Sequence, residues 1–197
     1  MNIFIVHENP IVAAQMLCDT HVNKMSTETA QLLCSPFENG IAPYGRTHYH
    51  GRFAKWARES KQNYEWLLVH GYALANEFEY RRGKKHAVIT KGVLRWCKDN
   101  YQTYPFPSIE RTPFAVIDGY DKSEPIESYR QFYWDDKREF ATWIWRRECP
   151  LWWLEFMYKD AQIEMPKEFY KKKVDSEMYD DYDVYEIRKM LIKMEIR

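Results

Sequence analysis

FAKWARESKQNYEWLLVHGYALANEFEYRRG, residues Phe53 to Gly83, carries the clearest helical period in the chain. Trp56, Ser60, Asn63, Leu67, Gly71, Leu74 and Phe78 recur every three to four residues, the spacing of one face of a helix. Proline is missing from the stretch, and Gly83 can end it in the left-handed conformation that glycine adopts at no steric cost. A long helix from about Phe53 to Arg82 is therefore predicted, with Asn63 in the middle of its apolar face. An unpaired amide there would cost about 1–3 kcal/mol, so Asn63 must find a partner, either inside the protein or on a ligand.

On the N-terminal side, Ile3 to Val6 form an apolar run that suits one buried strand. Asn9-Pro10 then offers a cap and a first-turn proline. Ala14, Cys18, Val22, Met25, Leu32 and Leu33 extend the helical pattern to about Cys34, and Pro36 with Asn39-Gly40 ends it. On the C-terminal side, Lys84 to Asn100 reads as a third helix. Pro105, Pro107 and Pro113 exclude a helix there and leave Phe114 to Ile117 as a possible short strand. Ser123-Glu124-Pro125 opens another helix, whose stripe of Tyr129, Phe132, Tyr133, Phe140, Trp143 and Ile144 runs to about Arg147. A short helix follows Trp152-Trp153 and ends before Pro166. The fold class expected is mostly α, a compact single-domain helical fold with at most a short β-pair formed by the N-terminal strand and residues 114–117. Residues 1–165 make the domain and 166–183 a charged linker. Residues 184–197 make an amphipathic helix too short for an independent coiled coil.

Composition supports a packed core. Hydrophobic residues are 45% and aromatics 17% of the chain, well above a disordered composition. Lys plus Arg and Asp plus Glu balance at 29 each, so any electrostatic attraction must be regional. Cys18, Cys34, Cys97 and Cys149 form no CxxC pair, which fits reduced thiols and a cytoplasmic setting. No apolar run approaches the roughly 20 residues that cross a bilayer, and no membrane partner is expected.

The first helix carries the most informative polar stripe. His21, Lys24, Glu28 and Gln31 fall three to four residues apart and would line one wall of a cleft. Lys24 can hold Glu28 ionised and lower the pKa of His21, which suits acid–base chemistry near neutrality; a solvated face with an ordinary Glu–Lys pair is the plainer alternative. His48 and His50 stand in a loop that can place imidazoles over such a cleft. With Cys18 and His21 they make only a weak zinc pattern, because Cys18 belongs equally to the apolar stripe, so no metal site is assigned. Tyr80-Arg81-Arg82-Gly83-Lys84-Lys85-His86 is a basic turn that could grip phosphate or simply cap a helix end. Arg146-Arg147 among Trp143, Trp145, Trp152 and Trp153 offers stacking surfaces for bases, although most of these rings suit a core. No P-loop, GxGxxG, HExxH or GxSxG motif is present, which removes the most recognisable nucleotide-hydrolysis, dehydrogenase and hydrolase classes.

Read in order, Cys18-Asp19-x-His21-Val22-x-Lys24-Met25, Thr47-His48, Trp56-x-Arg58-Glu59-Ser60-x-x-Asn63-Tyr64-x-Trp66, Arg81-x-Gly83-Lys84-x-His86 and Tyr129-Arg130-x-x-Tyr133 resemble a family of small tailed-bacteriophage proteins. The resemblance spans about Met1 to Trp153 and implies a setting rather than a reaction. Gly51 after His50 departs from the family pattern. In that setting the expected function is a phage accessory enzyme acting on DNA or a nucleotide in the infected cell. His21, Lys24, Glu28 and His48 would be catalytic, and Arg58, Asn63, Arg81, Lys84 and His86 would hold substrate or phosphate. The cofactor is left unknown by the sequence. Two other readings stand beside it: an anti-defence inhibitor or adaptor that binds a host protein through residues 184–196, and a single-stranded nucleic-acid binder.

Overall fold

The computed structural model describes residues 1–166, so the expected amphipathic helix 184–197 and all but the first residue of the linker lie outside the described part. Eight α-helices occur in it: α1 (Pro10–Met16), α2 (Asp19–Cys34), α3 (Arg52–Glu59), α4 (Lys61–Arg82), α5 (Ala87–Thr90), α6 (Val93–Asn100), α7 (Pro125–Lys137) and α8 (Leu151–Asp160). The mostly helical class is the one expected from the sequence.

Three long helices read from the periodicity are each divided, for local reasons. Leu17 and Cys18 are extended and separate α1 from α2. Ser60 is extended too, and its hydroxyl accepts the Asn63 N–H, so a new helix starts where the apolar pattern runs on unbroken. Gly92, in the left-handed region, separates α5 from α6. Other signals hold as read: Asn9 caps α1 with Pro10 in its first turn, Gly83 closes α4 at φ 69°, and Pro125 opens α7.

Helix α4 is the central element. Asn63 through Gly71 are all buried, as only a helix covered on every side can be. α2 and α1 pack along it most extensively, with α3 and α6 beside them. Gly71 permits the close approach: a Cβ there would stand 3.1 Å from Thr29 and 3.3 Å from Leu94. Trp56, Tyr64, Trp66, Tyr129 and Tyr133 are among the largest fully buried side chains, each worth about 1.5–3 kcal/mol of burial.

Two expectations change. No strand forms among the described residues. Ile3–Val6 and 114–117 lie outside any helix or strand, and side chains take some of their carbonyls: Arg130 donates to the Val6 carbonyl, Tyr129 to that of Ala115 and Arg52 to that of Val116. Helix α7 ends at Lys137 rather than near Arg147. Beyond it the chain is tied to the start of α2. The Asp19 N–H donates to the Thr142 carbonyl at 2.9 Å, and the Ile144 N–H to the Asp19 carboxylate at 2.8 Å. A run of Thr142, Trp143, Ile144 and Trp145 has little helix propensity to oppose this.

Candidate functional site

The break before α2 sets the site. Extended Cys18 turns its N–H to the Tyr133 hydroxyl at 3.1 Å, and His21, one turn on, places Nδ1 2.6 Å from the same oxygen. A phenol has one proton to give and two lone pairs, so Tyr133 accepts from Cys18 and is at the same time hydrogen-bonded to His21, in a direction set by the imidazole tautomer. Nδ1 is thus engaged by Tyr133, and Nε2 is the ring nitrogen outside that contact. Phe4 stacks on the ring at 4.5 Å, and Phe140 meets it edge-on at 5.5 Å. Burial first, then the charges of Lys137 and Lys24, lower the His21 pKa to about 4. Burial also raises the Tyr133 phenol, which keeps its proton.

His21, Lys24 and Glu28 line one cleft of about 360 Å³, with Asn2 and Phe4 from the N-terminal segment, Arg52 from α3, Asp118, and Lys137 from the end of α7. Lys24 Nζ stands 3.6 Å from Glu28, whose other oxygen accepts the Asn2 N–H at 3.0 Å. Arg52 pairs with Asp118. The side chain of Lys24 is 61% exposed, that of Glu28 17%, so the lysine is free to reach a ligand while the carboxylate is held. Lys137 pairs with Asp136. A buried, neutral imidazole beside these ion-paired cations can polarise an anionic or carbonyl oxygen or exchange a proton with it.

The remaining predicted residues stand elsewhere. His48 is exposed, with φ 48°, and does not line the cleft. Arg58 donates to the Tyr49 carbonyl and stacks on that ring at 3.7 Å. Asn63 donates to the Trp56 carbonyl and the Thr112 hydroxyl, and accepts from the Thr112 N–H; its partners are inside the protein. Arg81 is buried and donates to Glu77, Asp19 and the Leu17 and Gln15 carbonyls. Arg147 grips the same Glu77 through two bonds. This buried ion network joins α4 to the start of α2 and leaves Arg81 turned away from solvent. His86 accepts the Val88 N–H on Nδ1 and so donates from Nε2 to Asn23, acting as the cap of α5. Lys84 is exposed on the basic turn. Among the described residues no group of three or more His, Cys, Asp or Glu is placed to hold a metal ion, and no helix is long and apolar enough to cross a membrane.

Sequence reasoning missed Tyr133, Arg52 and Lys137. Tyr133 was legible only as a core position, because its spacing on α7 is that of the buried stripe. Arg52 and Lys137 sit at helix ends whose placement follows from packing alone. No family model, no curated protein and no solved structure matches this chain.

Proposed function

We propose that the protein is an accessory enzyme of a tailed phage that acts on a nucleotide unit, free or within DNA, in the cleft beneath α2. The observation that carries this reading is the meeting of a buried His21, hydrogen-bonded to Tyr133, with Lys24, Glu28, Arg52 and Lys137 on one concave surface. The cleft volume lies at the lower end of the range for small-ligand sites, which suits one nucleotide unit. The cleft lining holds three cations and two carboxylates, Glu28 and Asp118, and Asp136 pairs with Lys137 beside it, so attraction for an anion would come from Lys24, the most exposed of the three cations, rather than from net charge. In this reading Lys24 and Lys137 engage phosphate, the His21 Nε2–H donates to the oxygen or nitrogen that gains charge, and Glu28 receives a proton. His48, Arg58, Asn63, Arg81 and His86 take no part in the chemistry, since their side chains lie elsewhere or are committed to the fold.

A thermal-shift panel tests this. Wild type is measured with nucleoside mono- and triphosphates, nucleosides and short DNA, and again as Lys24→Ala and Lys137→Ala. A ligand at about 100 times its Kd stabilises by about 2.7 kcal/mol. The expected result is a phosphate-dependent shift that both variants lose. A panel without any shift, or a shift that both variants keep, rejects the cleft as a nucleotide site.

A further inference from the structure

Two motifs that the cleft does not use meet on the surface. The last turn of α4 and the basic turn after it supply Tyr80, Arg82, Lys84 and Lys85, and the irregular segment between α7 and α8 supplies Ile144 to Arg147. Arg146 donates to the Tyr80 carbonyl at 3.0 Å across 66 residues of sequence. The guanidinium of Arg82 lies 4.5 Å from the centre of the Trp145 ring, and that of Arg147 lies 4.7 Å from the centre of Tyr80. Tyr80 is 46% and Trp145 43% exposed.

The segment is held from three sides. Ile144 is fastened to Asp19, Arg146 to Tyr80 and Arg147 to Glu77. Arg146 itself has φ 60°, a conformation that non-glycine residues adopt only when their surroundings impose it. These clamps fix the backbone on both sides of Trp145 and leave its ring on the outside. Trp143, Trp152 and Trp153, by contrast, are core or half-buried. Arg82 and Arg146 lie against the two exposed rings, and Lys84 and Lys85 are exposed on the turn that follows Arg82; Glu79 and Glu148 are the acids next to Tyr80 and Arg147 in sequence.

We infer that this surface binds single-stranded nucleic acid, with bases stacking on Trp145 and Tyr80 and phosphates meeting Arg82, Lys84, Lys85 and Arg146. Rigid aromatic faces backed by guanidinium groups within a cationic field are what an unpaired strand engages. A duplex hides its base faces and gains only the phosphate contacts. The inference rests on this patch alone and does not require the cleft to be catalytic. The two places are close all the same. Phe140 touches His21 and Trp145 stands five residues on, which a fully extended chain spans in at most ~18 Å.

The test is fluorescence anisotropy of the full chain with labelled 12-nucleotide single strands of DNA and RNA and with the same sequences as duplex, at 50 and 200 mM salt. Single strands should bind at least about tenfold more tightly than duplex. Engagement of three to four phosphates should weaken binding roughly 20- to 50-fold between the two salt concentrations. Trp145→Ala should weaken it at least about fivefold. The triple change Arg82→Gln, Lys84→Gln, Lys85→Gln should weaken it and flatten the salt dependence, with melting temperatures showing that both variants fold. Lys122→Gln, at an exposed lysine that belongs to neither the patch nor the cleft lining, should bind strands as wild type does. Equal binding of duplex, no binding at 50 mM salt, or full binding by Trp145→Ala overturns the inference. Loss in Lys24→Ala with retention in Trp145→Ala moves the strand to the cleft, which rejects the patch while favouring the cleft. A protein ligand that needs Trp145 where no oligonucleotide binds also overturns it.

Discussion

The Tyr133 hydroxyl and the His21 Nδ1 lie 2.6 Å apart although 112 residues separate them in the chain. With the hydroxyl as donor in that contact, the ring proton sits on Nε2. Tyr133→Phe removes the contact and also strips the buried Cys18 N–H of its acceptor. The expected loss of stability is about 1–3 kcal/mol. Nitrogen NMR should show one His21 tautomer, protonated on Nε2, in wild type and a mixture of both in the variant. An unchanged tautomer in the variant would show that Tyr133 does not set it.

Acid should weaken the fold before its carboxylates titrate. Burial lowers both His21 and His70 to about 4 from an ordinary 6.5. The unfolded chain therefore takes up these protons first as pH falls, so stability declines below about 6.5 and this contribution levels off near 4. Each residue, being almost fully buried, contributes about 3 kcal/mol over that window. Urea unfolding should give a constant midpoint above pH 7.5 and a falling one from 6.5 to 5. His70→Gln can still donate to the Pro10 carbonyl that His70 holds at 2.8 Å, and it should flatten the decline. A midpoint independent of pH across the window would refute the assignment.

Arg81 gives a sharp contrast between holding the fold and holding phosphate. Arg81→Met leaves the buried Asp19 carboxylate without its cation, although Glu77 keeps Arg147. Breaking such a pair costs about 3–5 kcal/mol. The melting temperature should drop steeply with or without phosphate ligands. A stable variant that has merely lost ligand would reverse the assignment.

Gly71→Ala sets helix propensity against packing. Alanine gains about 1 kcal/mol in a helix interior, but its methyl would press on Thr29 and Leu94 at 3.1 and 3.3 Å, with Leu33 at 3.5 Å. Overpacking costs about 1–3 kcal/mol. Because all three neighbours lie in the packed interior between α2, α4 and α6, a net loss of about 1 kcal/mol is expected by urea denaturation. A net gain would mean that α2 and α6 can move apart.

Features governed by neighbours in the chain were legible in the sequence, and those governed by distant partners were not. Asn9-Pro10, Gly83 and Pro125 mark helix ends through local chemistry and sit where expected. The stop at Ser60 was hidden because the apolar period continues across it while the serine hydroxyl starts a new helix. Phe140, Trp143 and Ile144 carry helical spacing, yet Phe140 lies in the turn that closes α7 and Trp143 and Ile144 on a non-helical segment, because Asp19 offers that segment hydrogen bonds that another helical turn would forgo. His21, Lys24 and Glu28 share a face by spacing alone and do line one cleft. The phosphate-gripping expectation for Arg81 rested on its basic neighbours, and nothing local reveals the Asp19 and Glu77 carboxylates that surround it.

The Leu17–Cys18 break has a consequence for synthesis. The N-terminal helices α1 to α4 pack on one another through contacts available as soon as Arg82 has left the ribosome, and domains tend to form in that order. The acceptor for the Cys18 N–H, which is also the hydrogen-bond partner of His21, and the aromatic ring of Phe140 are translated much later. A nascent or truncated chain ending before Tyr133 can thus possess the helical scaffold while its histidine still exchanges protons between both nitrogens. The imidazole acquires a defined orientation only when the last third of the polypeptide closes over it.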